Sequence, residues 1–308
     1  MLDTVIIGGS SAGLSAALIL GRSLRNVVVL DDQKPCNRFT HASHGFLTQD
    51  GTAPAQLLQT ARDQLAPYAT VTLKSATAVT ITATAHGFTV LDASGQAHDA
   101  RTVLLATGLH DALPALEGIE PLWGKSVFHC PYCDGYEVCG KAVAVYGTDE
   151  AAMHLLLLMR NLTPALTLVT GGLWQPTPEQ REKIASLGIR LAETPVSRLE
   201  STDSQIQAIR FADGSTLACD ALFIRPKTSH RTPFAHDLGC QMNVHQVVQV
   251  DLRGRTSVAG VYAAGDLSSP IRSVAIAVAQ GAAAGYGINA DLVEQGIIGD
   301  MAPSAEGR

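Results

Sequence analysis

Thr4-Val-Ile-Ile-Gly8-Gly-Ser10-Ser11-Ala12-Gly13 is the stretch that decides the fold. Its apolar, β-branched start reads as a buried strand, the glycines and serines as a tight turn, and the residues from Leu14 to Leu24 carry a helical apolar pattern. In such a unit Gly8 makes the turn, Ser10 stands where the backbone nears a pyrophosphate, and Gly13 lets helix and strand pack closely. Ser10 replaces the usual middle glycine, a small departure. The second strand, Asn26 to Leu30, ends at Asp31, 23 residues after Gly8, where a carboxylate can accept hydrogen bonds from a ribose. Strand, turn, helix, strand and acid in that order point to a dinucleotide-binding start rather than an ordinary strand-to-helix turn.

A second copy begins at Ala142-Val-Ala-Val-Tyr-Gly147. With Gly147 laid over Gly8, Asp149 falls on Ser10 and Glu150 on Ser11, so two carboxylates stand where a pyrophosphate should meet bare amides at a helix N-terminus. Counting the same 23 residues forward, past a strand Leu166 to Val169, reaches Thr170-Gly171-Gly172, with neither the acid that NAD wants nor the Arg that NADP wants. The reading is a nucleotide-domain fold that has lost ordinary NAD(P)H binding; the alternative is a working site hidden by tolerant turn chemistry.

At 308 residues, 46% apolar and 16% charged, the chain suits two α/β domains with buried parallel sheets. A net charge of −6 without clustered Lys and Arg argues against nucleic acid or an anionic membrane as partner. The first strand begins close to Met1, and the longest apolar runs, such as Leu155 to Met159, fall far short of the roughly 20 residues that span a bilayer. A cytoplasmic protein is expected, so its six cysteines read as redox-active or core residues rather than a disulfide framework. The polar tail from Gly299 to Arg308 is expected to be mobile.

Ahead of the second copy stands Val127-Phe-His129-Cys130-Pro-Tyr-Cys133-Asp134-Gly-Tyr-Glu-Val-Cys139. A C-x-x-C whose first cysteine opens a helical turn can close a small disulfide ring, and the helix N-terminus lowers the thiolate pKa. Pro131 suits the first turn, where its missing N–H has no helical partner anyway. His129 and Asp134 flank the pair and can move the protons of a dithiol-to-disulfide conversion. Zinc held by His129, Cys130, Cys133 and Cys139 is the structural alternative, although adjacent His and Cys ligands sit awkwardly in a tetrahedral site. Cys36, Cys219 and Cys240 lack motif context and read as buried packing residues.

These motifs, with Ala106-Thr107-Gly108 after a strand and Gly260-Val-Tyr-Ala-Ala-Gly265-Asp266, resemble the low-molecular-weight thioredoxin reductase family over nearly the whole chain. The resemblance implies an α/β protein of two Rossmann-like three-layer domains, the second inserted into the first: residues 1–114 and 227–308 for FAD, 115–226 for an NAD(P)-like domain carrying the redox pair. It implies FAD contacts from Gly8, Ser10, Ser11, Ala12, Gly13, Asp31, Asn37, Arg38, Thr107, Gly108 and Gly265, with Asp266 on the ribityl chain. It also implies a helix from about Ser273 and Val274 aimed at the isoalloxazine ring. Cys133 would face the flavin and Cys130 exchange with substrate. The family's NADPH turn and its His-Arg-Arg stretch are replaced here by Asp149 and Thr170 to Gly172. The His129 to Glu137 segment is similar instead to dithiol oxidases of the gliotoxin, holomycin and romidepsin type, in which the His acts as base. That branch implies a small-molecule dithiol substrate; dioxygen is the expected acceptor, and the family's habit of pairing implies a homodimer. The alternatives are a disulfide reductase fed by NADPH or a protein donor, and a non-catalytic FAD redox sensor. Pro226 to Pro233, with His230 and Arg231, either borders the substrate cleft or is a polar hinge.

Overall fold

The computed structural model describes residues 1–299; of the tail expected to be mobile, residues 300–308 lie outside the described residues. The chain opens with β1 (Leu2–Ile7), α1 (Ser11–Arg22), β2 (Val27–Asp31), α2 (Pro54–Leu65) and β3 (Val71–Ser75), then β4 (Ala78–Thr84), β5 (Gly87–Asp92) and β6 (Ala97–Leu105). These strands form one sheet in the order β3-β2-β1-β6-β5-β4. The parallel part is buried on both faces, so Thr4 to Ile7 and Val27 to Leu30 read as continuous apolar runs rather than alternating ones. Fully burying each such Ile or Leu contributes about 1.5–3 kcal/mol.

β7 (Leu109–Ala112) leads out of this sheet into a second one. The second comprises β8 (Val127–Phe128), β9 (Val143–Tyr146), β10 (Leu166–Val169), β11 (Arg190–Ala192) and β15 (Ala221–Ile224), all parallel in the order β11-β10-β9-β15-β8, with β12 (Val196–Thr202), β13 (Gln205–Phe211) and β14 (Thr216–Ala218) as a separate antiparallel meander. Its helices are α3 (Pro131–Asp134), α4 (Ala152–Arg160) and α5 (Pro178–Ser186). The return strand, β16 (Lys227–His230), is hydrogen-bonded antiparallel to β7, with Lys227 opposite Ala112 and His230 opposite Leu109. The outgoing and returning chain thus form one two-stranded ribbon, and we propose it as the junction between the units, next to the divisions expected at 114/115 and 226/227.

After α6 (Phe234–Asp237), β17 (Val261–Ala263) adds in parallel to the C-terminal half of β6, and α7 (Val274–Glu294) closes the first unit. α7 lies directly on α1. A Cβ at Gly281 would stand 2.1 Å from the Ala12 carbonyl oxygen, so glycine there sets how closely the two helices approach. The first helix starts at Ser11, three residues before the apolar pattern suggested, because its first turn is built from small residues with no periodic signal. Among the described residues no helix is long and apolar enough to cross a membrane.

Candidate active site

The turn after β1 is fixed by sterics. Gly8 has φ +107°, and a Cβ there would lie 2.2 Å from the Ala106 carbonyl oxygen; at Gly13 it would lie 1.8 Å from the carbonyl oxygen of Gly8. Ser10 caps α1 with extended backbone and no side-chain bond to the first turn, leaving the amides there to face the cleft. Asp31 ends β2 at the rim, its carboxylate accepting from the Gln33 N–H at 3.0 Å and paired with Arg62 at 3.1 Å. Across the cleft, the Ser273 hydroxyl accepts from the Ile276 N–H at 3.2 Å and starts the 21-residue α7, so the positive end of a long helix opens onto the same space.

One cleft gathers residues from both units. Gly8, Ser10, Ser11, Ala12, Asp31, Asn37, Thr107, Gly108, Gly265, Asp266, Ser273 and Val274 line it together with His129, Cys133 and Asp134. Three expected residues lie off this wall. Gly13 packs inside the turn, Cys130 does not line the cleft although its sulfur is within hydrogen-bond reach of Cys133, and Arg38 is exposed, donating to the Pro35 carbonyl at 2.9 Å and covering the Phe39 ring at 4.0 Å. Arg231 reaches the wall, bonded to Asp32 at 2.8 Å and the Lys34 carbonyl at 2.7 Å, whereas His230 turns away to the Gln246 carbonyl at 2.9 Å.

The cleft also holds a polar cluster that local patterns did not indicate. Arg272 grips Asp111 at 2.7 and 2.9 Å, Asp266 at 3.0 Å and the Cys36 sulfur at 2.9 Å. Cys36, expected from its lack of motif to be a buried packing residue, instead belongs to this polar cluster. Its thiol donates to Asp111 at 3.3 Å, and burial pushes it up to about 12. Cys219 and Cys240 are buried in the core. Arg272 immediately precedes the helix cap, a signal that could have marked it; Asp111 stands alone in a short strand and carries none.

The redox pair sits on a single helical turn. Cys130 is the cap residue of α3 in extended backbone, and the Cys133 N–H donates to its carbonyl at 3.1 Å. Both thiols are free. The Cys133 thiol donates to Cys130 and, with the backbone N–H groups of Cys133 and Tyr132, lowers the Cys130 thiol to about 7. His129, stacked on Trp123 at 5.6 Å, is held below the ordinary histidine value by burial and by the Arg272 charge. Burial, with Glu137 nearby, pushes Asp134 up to about 7. Cys139, which a zinc site would need, is exposed and bonded to the Leu162 carbonyl at 3.1 Å.

The second glycine turn is built differently. α4 begins only at Ala152, whose methyl fills the space where a Cβ of Gly147 would be, 2.4 Å away. The Asp149 carboxylate accepts from the Ala151 N–H at 3.0 Å and faces Arg225 at 3.7 Å, occupying an amide that a phosphate would use. Thr170 is fully buried.

A flavin dinucleotide fits the first cleft. The glycine cradle leaves room for a close phosphate approach, the buried Thr107 hydroxyl has no partner among the described residues, and the N-terminus of α7 favours the negative charge of a reduced flavin.

Comparison with known proteins agrees with this architecture. Residues 2–281 match the pyridine nucleotide-disulphide oxidoreductase family. Thioredoxin reductase aclD of Aspergillus oryzae is 30% identical over 95% of this chain and 96% of its own length, and thioredoxin reductase tcpT of Claviceps purpurea is 31% identical over 95% of each. The crystal structure of HlmI, 33% identical, superposes with a TM-score of 0.92 over 96% of this chain and 94% of its own. A putative thioredoxin reductase, TrxB, from Bacillus anthracis, 29% identical, also gives 0.92 over 96% of this chain and 99% of its own. With its glycine cradle, its C-x-x-C turn and these matches, the chain belongs to the pyridine nucleotide-disulphide oxidoreductase family, as an FAD-binding, thioredoxin reductase-like enzyme.

Proposed function

We propose that this protein is an FAD-dependent dithiol oxidase that closes a disulfide in a small-molecule dithiol and passes the electrons to dioxygen, acting in the cytoplasm as a homodimer. The observation that carries the reading is the split between the two thiols: Cys133 lines the flavin cleft and Cys130 does not. One sulfur is presented to the cofactor and the other to a partner from outside.

In the oxidised pair, a substrate thiolate attacks Cys130, forming a mixed disulfide and displacing the Cys133 thiolate. The second substrate thiolate then attacks the substrate sulfur bound to Cys130, which forms the product disulfide and releases Cys130. Neutral His129, kept uncharged by burial and Arg272, is the base that takes the protons of the substrate thiols. Asp134, pushed up to about 7, holds a proton that it can donate to a departing thiolate. FAD, when bound, would supply the two-electron acceptor that lets the Cys130–Cys133 disulfide re-form with loss of both thiol protons, dioxygen being the terminal acceptor and hydrogen peroxide its product. A nicotinamide supply is disfavoured because Asp149 occupies the amide at the second turn.

The test is anaerobic. Flavin absorbance of the purified protein is followed with NADPH, with NADH and with a small dithiol. Bleaching by the dithiol alone, reversed by air with peroxide release and absent in Cys130→Ser, supports the oxidase. Prompt bleaching by NADPH overturns it in favour of a thioredoxin reductase.

A further inference from the structure

α3 is one turn of helix with no fully buried residue, too short to hold its own position. Its placement over the cleft must come from outside contacts. Leu162, after α4, packs against one side of α3 at Gly135, and residues after Cys36 in the first unit cross to the second and supply further contacts. The Phe39 backbone lies against Gly124, where a Cβ would come within 2.9 Å of its carbonyl carbon, and Gly124 has φ +73°. Further on, His44 is a second crossing: its Nε2 is 3.3 Å from the Glu137 carboxylate, in the 3-10 turn directly after α3, and its Nδ1 is 3.5 Å from Asp50.

The loop that carries His44 is braced. Asp50 accepts the Gly45 N–H at 2.7 Å, and the loop base is closed by backbone bonds from Ser43 to Thr52 at 2.8 Å and from Gly51 to Ser43 at 2.9 Å. His44 also lines the cleft beside Asp134 and Cys133. We infer that His44 is a positioning residue: through Glu137 it clasps the redox turn to the first unit and keeps Cys133 on the flavin wall. The inference rests on the reading above in which Cys133 serves the flavin.

The test uses FAD-loaded protein in a Cys130→Ser background, which leaves Cys133 as a single thiol of the pair. Iodoacetamide labelling of Cys133, followed by peptide mass spectrometry, and the long-wavelength thiolate-to-flavin absorbance are compared after adding His44→Ala, His44→Gln or Glu137→Ala. Loss of the His44–Glu137 pairing should raise Cys133 labelling about two- to fivefold in His44→Ala and Glu137→Ala, with the long-wavelength band weakened. His44→Gln, whose amide N–H can still reach the carboxylate, should stay near the parent. Unchanged labelling and absorbance in both alanine variants overturns the clasp; if His44→Ala does not retain FAD, Glu137→Ala, at a half-exposed position, decides alone. Bleaching of the wild-type flavin by NADPH would sink the oxidase reading without altering the labelling result.

Discussion

Arg272 and Asp111, 161 residues apart in sequence, meet as a two-point guanidinium–carboxylate fork inside the flavin cleft, with N–O distances of 2.7 and 2.9 Å. Both side chains are largely buried, at 16% and 6% exposure, so neither charge can turn to water for replacement. Removing one partner of a buried pair costs about 3–5 kcal/mol where the other is left uncompensated; in Asp111→Ala the Arg272 guanidinium keeps Asp266 at 3.0 Å, so the cost lies at the low end of that range. Asp111→Ala should therefore lower the urea midpoint of the FAD-loaded protein markedly, and Asp111→Asn less. An unchanged midpoint in Asp111→Ala would show the fork to be energetically idle.

The electrostatics of the redox turn give Cys130 a distinct titration. In the reduced enzyme its thiolate is stabilised by the Cys133 thiol and two backbone N–H groups, and it is lowered to about 7. Alkylation at Cys130 should rise through a midpoint near that value and precede alkylation at Cys133. Stopped-flow quenching with iodoacetamide and peptide mapping reads both. A midpoint near 9, the value of an ordinary thiol, contradicts the assignment.

Asp134 carries a stability cost with a definite sign. Burial raises it from 3.8 to about 7, so between those values the folded state binds the proton that the unfolded state has lost, and stability falls as pH rises through this window, then levels off above it. Asp134→Asn removes that dependence. The variant should gain about 2 kcal/mol over the parent at pH ~8 and little at pH ~4, while losing dithiol turnover. Equal pH slopes in chemical denaturation would refute the burial argument.

Gly8→Ala places a methyl 2.2 Å from the Ala106 carbonyl oxygen at a backbone angle of +107°. The β1 turn must open, and the purified variant should be colourless with a reduced melting temperature. Full FAD content, measured by absorbance after denaturation, would mean that the turn adapts.

What could be read from the sequence followed local physics. The turn from Gly8 to Gly13, the strand Leu166 to Val169 and the pair Cys130 and Cys133 each announce themselves within a few residues, because strand period and turn sterics are short-range rules, whereas the helix start at Ser273 comes through the family resemblance. Asp149 was also legible, as a charge out of place in a phosphate turn. The Arg272 to Asp111 fork and the His44 to Glu137 contact were not. Each depends on two loops brought together by the sheets, and a lone Asp in a four-residue strand or a lone His in a polar loop has no periodicity to betray it. Arg38, assigned through family resemblance, donates to the Pro35 carbonyl and covers the Phe39 ring, contacts within its own loop that no periodicity announces.

The ribbon of β7 and β16 leaves Ala112 and Lys227 facing each other as paired residues. On the division we propose, everything between them leaves and re-enters at one doorway, making the intervening segment a module plugged into a gap only a strand-spacing wide. Excising it would need no more than a two-residue hairpin to rejoin the remaining chain, at small loop-closure entropy. The same doorway suits exchange: a different redox module, with termini equally close, could be grafted there without altering the register of the seven-stranded sheet.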